Sequence, residues 1–412
     1  MTESGSNGPS RDEPPGQADV AALERIDWDR VDSSTRRFST ERIALVIGVL
    51  AVGLAYLYYR SKDSIFLVAR WHVGPEDWLL LLALAVVVAY GVVPMLLDPS
   101  RGRRLLARLR RRWATVASLV VLGAVVLTAF YAMITGFQPR LTLDSGTVGT
   151  DKLQPPVGFS GSYLETRQDC VGTVTGDTIY EQQCHGTWEY VLGTDRWGYE
   201  MVDLLVVGAR PVAYAVFVTV GIIVPLATVV GLVAGYYGGS VDDLLMSYVD
   251  VQLSIPAIVI YMIAYLFIGD SFFVLLAAFG LLSWGGIARI VRSETLQRRE
   301  EGYILAARVL GASRPYVLRR HMLPNITNSV IPAAFHLMAV LVLTEAALAF
   351  LGFHATFQSW GMTMGEGLFR AAPLDAWWVS TFPAIALGLT VAAFKVAGDG
   401  LRDALDPRGA HD

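Results

Sequence analysis

The chain of 412 residues is 53% hydrophobic and only 17% charged, where soluble domains carry roughly a quarter charged residues. That balance excludes an ordinary water-soluble fold and reads as an integral membrane protein. A formal net charge of -4 also excludes nucleic acid as a partner, because a phosphate backbone demands a basic footprint.

In chain order, residues 1–41 open with MTESGSNGPSRDEPPGQADV. They hold no apolar run of a cleavable signal peptide, and their Pro, Gly, Ser and acidic content predicts a largely disordered tail. Asp19 to Val31 is able to form a short amphipathic helix. Eight apolar stretches then approach the roughly 20 residues needed to cross a bilayer: Ile43 to Tyr59, Trp78 to Leu97, Ala114 to Phe137, Val212 to Tyr236, Val251 to Ile268, Phe272 to Val291, Ser329 to Leu351 and Trp378 to Ala397. The expected organisation is two spans and a basic loop over 42–113, a span over 114–137, an outer segment over 138–210, a helical core over 211–400 and a tail over 401–412. Arginine sets the orientation, since short Arg-rich loops stay cytoplasmic. RGRRLLARLRRRW, before Ala114, and the segment 292–325, with seven arginines up to Arg320, both belong inside. Both termini then fall in the cytoplasm and 138–210 falls outside, although Arg60, Lys62 and Arg70 sit outside against the trend.

The outer segment carries Cys170 and Cys184, the only cysteines. Two thiols in one small extracellular loop are expected to pair, restricting the unfolded chain by a few kcal/mol; unpaired thiols are the alternative. A zinc site wants four ligands, and only His185 lies nearby. The six histidines fall at no metal-ligand spacing on one helix face.

Between two spans lies EGYILAARVLGASRPYVLRRHMLPN, Glu301 to Asn325, far longer than a turn requires. Tyr303, Ala306, Ala307 and Leu310 fall on one narrow helical face. Gly311 stands where a left-handed C-cap is wanted, and Ser313 with Pro315 supplies an N-cap and first-turn proline for a second helix. That helix is expected to end near Met322, because Pro324 disfavours helix at the residue before it. Spacing alone leaves two readings: a helical elbow docked on another protein, or a basic amphipathic loop lying on membrane lipid of the inner leaflet.

Ala306-Ala307, Gly311 and Leu323-Pro324 resemble the EAA signature of ABC importer permeases. LGTDRWGYE (192–200), GLVAGYYGGSVDDLLMSYVDVQLSIPAI (231–258), ALAFLGFHATFQSWGMTM (347–364) and GDGLRDALDPR (398–408) are similar to the dipeptide/oligopeptide/nickel branch, in particular its C-type permease. The resemblance covers about Leu192 to Arg408. Two positions depart from it: Leu305 stands at the EAA glutamate, and Tyr199-Glu200 replace the usual Arg-Asp.

The resemblance implies an all-α, six-helix type I importer permease core, here preceded by two extra spans. It implies a translocation pathway shared with a second permease subunit, two ATPase subunits gripping the elbow through Tyr303, Ala306, Ala307, Leu310, Gly311, Leu323 and Pro324, and an extracellular substrate-binding protein. Peptides are the expected cargo, with nickel or another small solute as the alternative. No G-x-x-x-x-G-K-[ST] loop occurs around Lys62, Lys152 or Lys395, so the chain binds no cofactor by that route and ATP belongs on the partner subunits. Glu345, inside a span where an ionisable group is costly, is read as a structural contact near the outer gate rather than a substrate contact. A secondary transporter or channel would need intramembrane charges on broken helices in matching halves, and a membrane enzyme would need clustered His, Asp or Ser; neither pattern is visible.

Overall fold

The computed structural model describes residues 40–61, 70–110, 112–139, 143–144, 147–148, 151–164, 166, 170–353, 358–369 and 376–405. The tail expected to be disordered lies outside them up to residue 39, as do residues 406–412.

The described chain is an all-α membrane protein with a small β-rich excursion. Its helices are α1 (Thr40–Ser61), α2 (Pro75–Leu97), α3 (Pro99–Leu109), α4 (Trp113–Thr135), α5 (Met201–Tyr237), α6 (Gly239–Ser254), α7 (Ala257–Ile268), α8 (Phe272–Arg298), α9 (Gly302–Val309), α10 (Arg314–Phe350), α11 (Trp360–Phe369) and α12 (Trp377–Leu405). Seven of these are long and apolar enough to cross a membrane. In hydrocarbon every backbone N–H and C=O must be satisfied within the segment, which is why apolar runs of this length become helices.

The span expected over Val251 to Ile268 is different: it is the bent pair α6 and α7, which meet at 65°. Ile255 is extended and Pro256 has ψ 117°, as the restriction before a proline and the proline's own missing N–H require. The pair counts as an eighth, broken span or as a re-entrant loop.

The centre of the bundle is the contact of α5 with α8. Gly231 and Gly235, spaced as in GxxxG, sit so close to α8 that a Cβ would lie 2.5 Å from the Ala288 carbonyl oxygen and 2.8 Å from that of Arg292. With little difference in apolarity between lipid and side chain, such close approach is what drives helix association.

The two spans preceding the core are not equivalent. α2 is built into it: the Asp77 carboxylate accepts hydrogen bonds from the Tyr214 hydroxyl on α5 (2.7 Å), Trp71 Nε1 (3.1 Å) and the Gly74 amide (2.7 Å), and Leu80 and Ala83 are fully buried. α1 buries no residue and lies against α2, with Tyr56 and Tyr59 edge-on to Trp78.

At one end of the bundle, the described residues of 151–200 fold over the tops of α5 and α12. An antiparallel pair of strands, β1 (Leu143–Asp144) and β2 (Thr147–Val148), is followed by β3 (Ser160–Ser162), β4 (Val174–Thr175) and β5 (Gln183–His185), which form an antiparallel sheet in the order β3-β5-β4. The Cys170 and Cys184 sulfurs are bonded, with their Cα atoms 5.7 Å apart.

Candidate functional site: the elbow and the pocket at the opposite end

The elbow begins where α9 stops. Leu310 is the cap, and Gly311 follows at φ +85°. The Gly311 amide bonds the Arg308 carbonyl and the Ala312 amide the Ala307 carbonyl, each at 3.0 Å, the two bonds of a Schellman motif. Ser313 is extended and its carbonyl accepts from Val317, so a second helix starts, without a side-chain cap bond.

That second helix does not end near Met322. It passes through a π turn, Leu318–Met322, closed by the Leu323 amide on the Leu318 carbonyl, and continues to Phe350. The wider turn moves the register by one residue, so Pro324 falls in the first turn of the next α segment, where a missing N–H costs nothing. The same device recurs at Val88–Val92 before Pro94 and at Thr219–Ile223 before Pro225. The elbow is therefore continuous with a membrane-crossing helix, a lever whose 28 residues after the π turn, Pro332 among them, span about 42 Å.

The expected face of α9 is divided by the structure. Ala307 is half-buried against the core, beneath the fully buried Ile304. Ala306 and Leu310 are exposed, but the apolar residues beside them are Leu305 and Val309, the latter 86% exposed. Tyr303 leans toward α10, its hydroxyl 3.4 Å from Asn325 Nδ2 and its ring near His321. Leu323 and Pro324 lie exposed on α10. The signal for Leu305 and Val309 is an i, i+4 apolar pair on the stripe next to that of buried Ile304, which the stripe of alanines obscures.

At the far end of α10 the chain forms an open pocket of about 660 Å³ lined by Trp197, Tyr199, Phe350, Gln358, Glu366 and Phe369, among others. The turn that presents Trp197 and Tyr199 is organised by Asp195, whose Oδ1 accepts both backbone amides at 2.8 Å. Arg196 pairs with Glu366 at 3.2 Å. Trp360 and Trp378 fasten α11 and α12 beneath the pocket through bonds to the Leu205 and Thr194 carbonyls. Glu345 is buried on α10 near this end and its carboxylate is hydrogen-bonded by Ser359, tying α10 to the segment that enters α11.

Burial pushes the Asp195 carboxyl up to about 6, with Glu366 adding to the rise and the bonds from Tyr199, Trp197 and Gly198 opposing it. The folded turn therefore holds the proton more tightly than the unfolded chain does. The resulting stability is full below the ordinary value of 3.8 and is lost as pH rises through about 6. Hydrogen exchange at the Trp197 and Tyr199 amides, corrected for intrinsic rate, is expected to show weaker protection above pH 6 than near pH 4. Asp195→Asn is expected to flatten that dependence; an unchanged slope in the variant would assign it elsewhere.

A multi-span helical protein with an exposed helical elbow at one end and an aromatic pocket at the other fits the class of a transport permease. Residues 227–410 match the family described as binding-protein-dependent transport system inner membrane component. The chain is 31% identical over 57% of its length to the dipeptide transport system permease protein of Bacillus subtilis, covering 74% of that protein. It is 33% identical over 53% of its length to the oligopeptide transport system permease protein of Haemophilus influenzae, covering 70%, and 30% identical over 70% of its length to a dipeptide transport system permease protein of Alkalihalophilus pseudofirmus, covering 86%. The chain belongs to this family of ABC importer permeases and is related to its peptide-transport members. In this family ATP hydrolysis takes place on separate ATPase subunits.

Proposed function

We propose that the chain forms one half of the translocation pathway for di- or oligopeptides, paired with a second permease subunit. The elbow end faces the cytoplasm, with both termini, and the β-rich end faces outward, where a substrate-binding protein delivers cargo to the aromatic pocket. Two ATPase subunits drive the pair, one gripping α9 and the start of α10, around Tyr303, Ala306, Leu310, Gly311, Leu323 and Pro324. Closure of the ATPases displaces the elbow, and the continuous helix α10 carries the displacement to the pocket end. ATP thereby biases the two membrane states, which it can do only if the ATPases distinguish them.

The single observation that carries this reading is the apolar patch of Leu305, Val309 and Leu310, all exposed on a short helix and its cap. Free of a partner, it would hold apolar surface in water with nothing gained. Peptide cargo is supported by the names of the relatives and by an aromatic, polar-edged pocket that can take varied side chains.

The test is reconstitution with the neighbouring permease and ATPase subunits. Wild type is expected to retain the ATPase on purification and to accumulate labelled dipeptide in vesicles only with ATP. Val309→Asp, at a residue whose side chain touches little of this chain, is expected to lose the ATPase by about tenfold or more, as for a charge placed in an apolar contact, without changing thermal stability. Retention of the ATPase by that variant together with Leu305→Asp would reject the docking face.

A further inference from the structure

Between the elbow and the ends of α5 and α8 lies a second cavity, of about 510 Å³, lined by Tyr236, Tyr237, Arg299, Arg308, Ala312 and Arg314. Four parts of the chain meet there: the last turn of α5, the end of α8, and both arms of the elbow. Arg308 stacks over the Tyr236 ring at 4.7 Å and Arg314 over the Tyr237 ring at 5.4 Å. Arg299 donates to the Gly235 carbonyl at 3.3 Å. None of the three forms an ion pair among the described residues, whereas Arg289, Arg292 and Arg298 nearby are each matched to a carboxylate.

Three guanidinium groups converging on one concavity repel one another unless an anion lies between them. Stacking on the tyrosines fixes two of the planes, so their N–H edges remain available for the forked bonds that guanidinium makes to phosphate oxygens. Arg308 lies one turn from buried Ile304 and three residues from Leu305 on α9, so the cavity borders the proposed ATPase contact. The tyrosine pair closes a membrane-crossing helix, where aromatic residues mark the headgroup level. Basic pockets between helices on the cytoplasmic side take phospholipid headgroups.

We propose that Arg299, Arg308 and Arg314, with Tyr236 and Tyr237, form a binding site for a phosphate-bearing anion, filled by an anionic phospholipid headgroup or by free phosphate. Occupancy clamps both arms of the elbow to the end of α5, so the lipid or phosphate present sets how freely the lever moves. The inference rests on the elbow facing the cytoplasm.

The complex is placed in nanodiscs of phosphatidylcholine with and without phosphatidylglycerol, and the phosphatidylglycerol retained after extraction is read by native mass spectrometry. Inorganic phosphate is titrated in the neutral discs against unfolding temperature. Wild type is expected to retain phosphatidylglycerol, with retention falling about tenfold for each guanidinium removed in Arg308→Gln and Arg308→Gln/Arg314→Gln, as for loss of a charge-assisted hydrogen bond. Stabilisation by inorganic phosphate that the same variants abolish would assign the site to a free anion. No dependence on these arginines in either arm overturns the proposal, as does an equal loss in Arg103→Gln/Arg104→Gln, exposed residues of α3. Retention is read on the permease whether or not the ATPase stays bound, so failure of the docking reading appears as a missing ATPase band and not as a missing lipid.

Discussion

Gly311→Val is expected to reduce ATP-driven uptake to background while the subunit remains inserted and Gly311→Asn retains most of it. At φ +85° a β-branched residue is a steric outlier, whereas asparagine visits positive φ at modest cost. No atom beyond its two chain neighbours lies within 4 Å of a Cβ built at this position, so the penalty is confined to the local backbone and owes nothing to crowding by other parts of the chain. A cost of roughly 1–2 kcal/mol is small for the whole protein but falls on the residue whose positive φ makes the Schellman cap and the bend. The relaxed chain would take a negative φ, lose the Ala312 to Ala307 bond, and swing α9 away from the direction in which α10 leaves. Uptake and ATP hydrolysis measured in vesicles check this. Unchanged uptake with valine would show that the bend angle does not matter to coupling.

The elbow shows why some of this was legible in the sequence and some was not. A glycine after an apolar helical face and a serine-proline step beyond it are local signals, and the bend forms where they stand. Pro324 is an equally clear local signal, yet the helix passes it, because a π turn supplies one extra residue and places the proline where it needs no donor. Pro94 and Pro225 follow the same rule. In a membrane the alternative, a broken helix with unpaired carbonyls, is costlier than a widened turn. Only where a whole turn is given up, at Ile255-Pro256, does the span break. Length and apolarity marked the spans, but not which partner each one meets. The weld between α2 and α5 joins Asp77 to Tyr214 across 137 positions, and nothing in the spacing of either residue announces the other. Tyr199, noticed only as a departure from a motif, turns out to line the pocket.

Asp77→Ala is expected to lower the unfolding temperature of the detergent-solubilised subunit more than any surface substitution, and to loosen α1 and α2 from the core. One carboxylate there serves three donors, Trp71, Gly74 and Tyr214. Withdrawing the acceptor strands buried polar groups at about 1–3 kcal/mol apiece, in a setting with little water to take its place. Neighbouring Arg210, whose guanidinium is held by the Ala132 and Phe137 carbonyls, offers no acceptor in exchange. Tyr214→Phe alone removes one donor and leaves Asp77 with two, so it is expected to cost less. In Asp77→Ala/Tyr214→Phe the loss is expected to be smaller than the sum of the single variants, because the second change removes a donor the first had stranded. Thermal unfolding together with limited proteolysis between α2 and α4 reads both effects. Additive losses would mean that Asp77 and Tyr214 act separately, and that α2 is held to the core by its apolar contacts with α5.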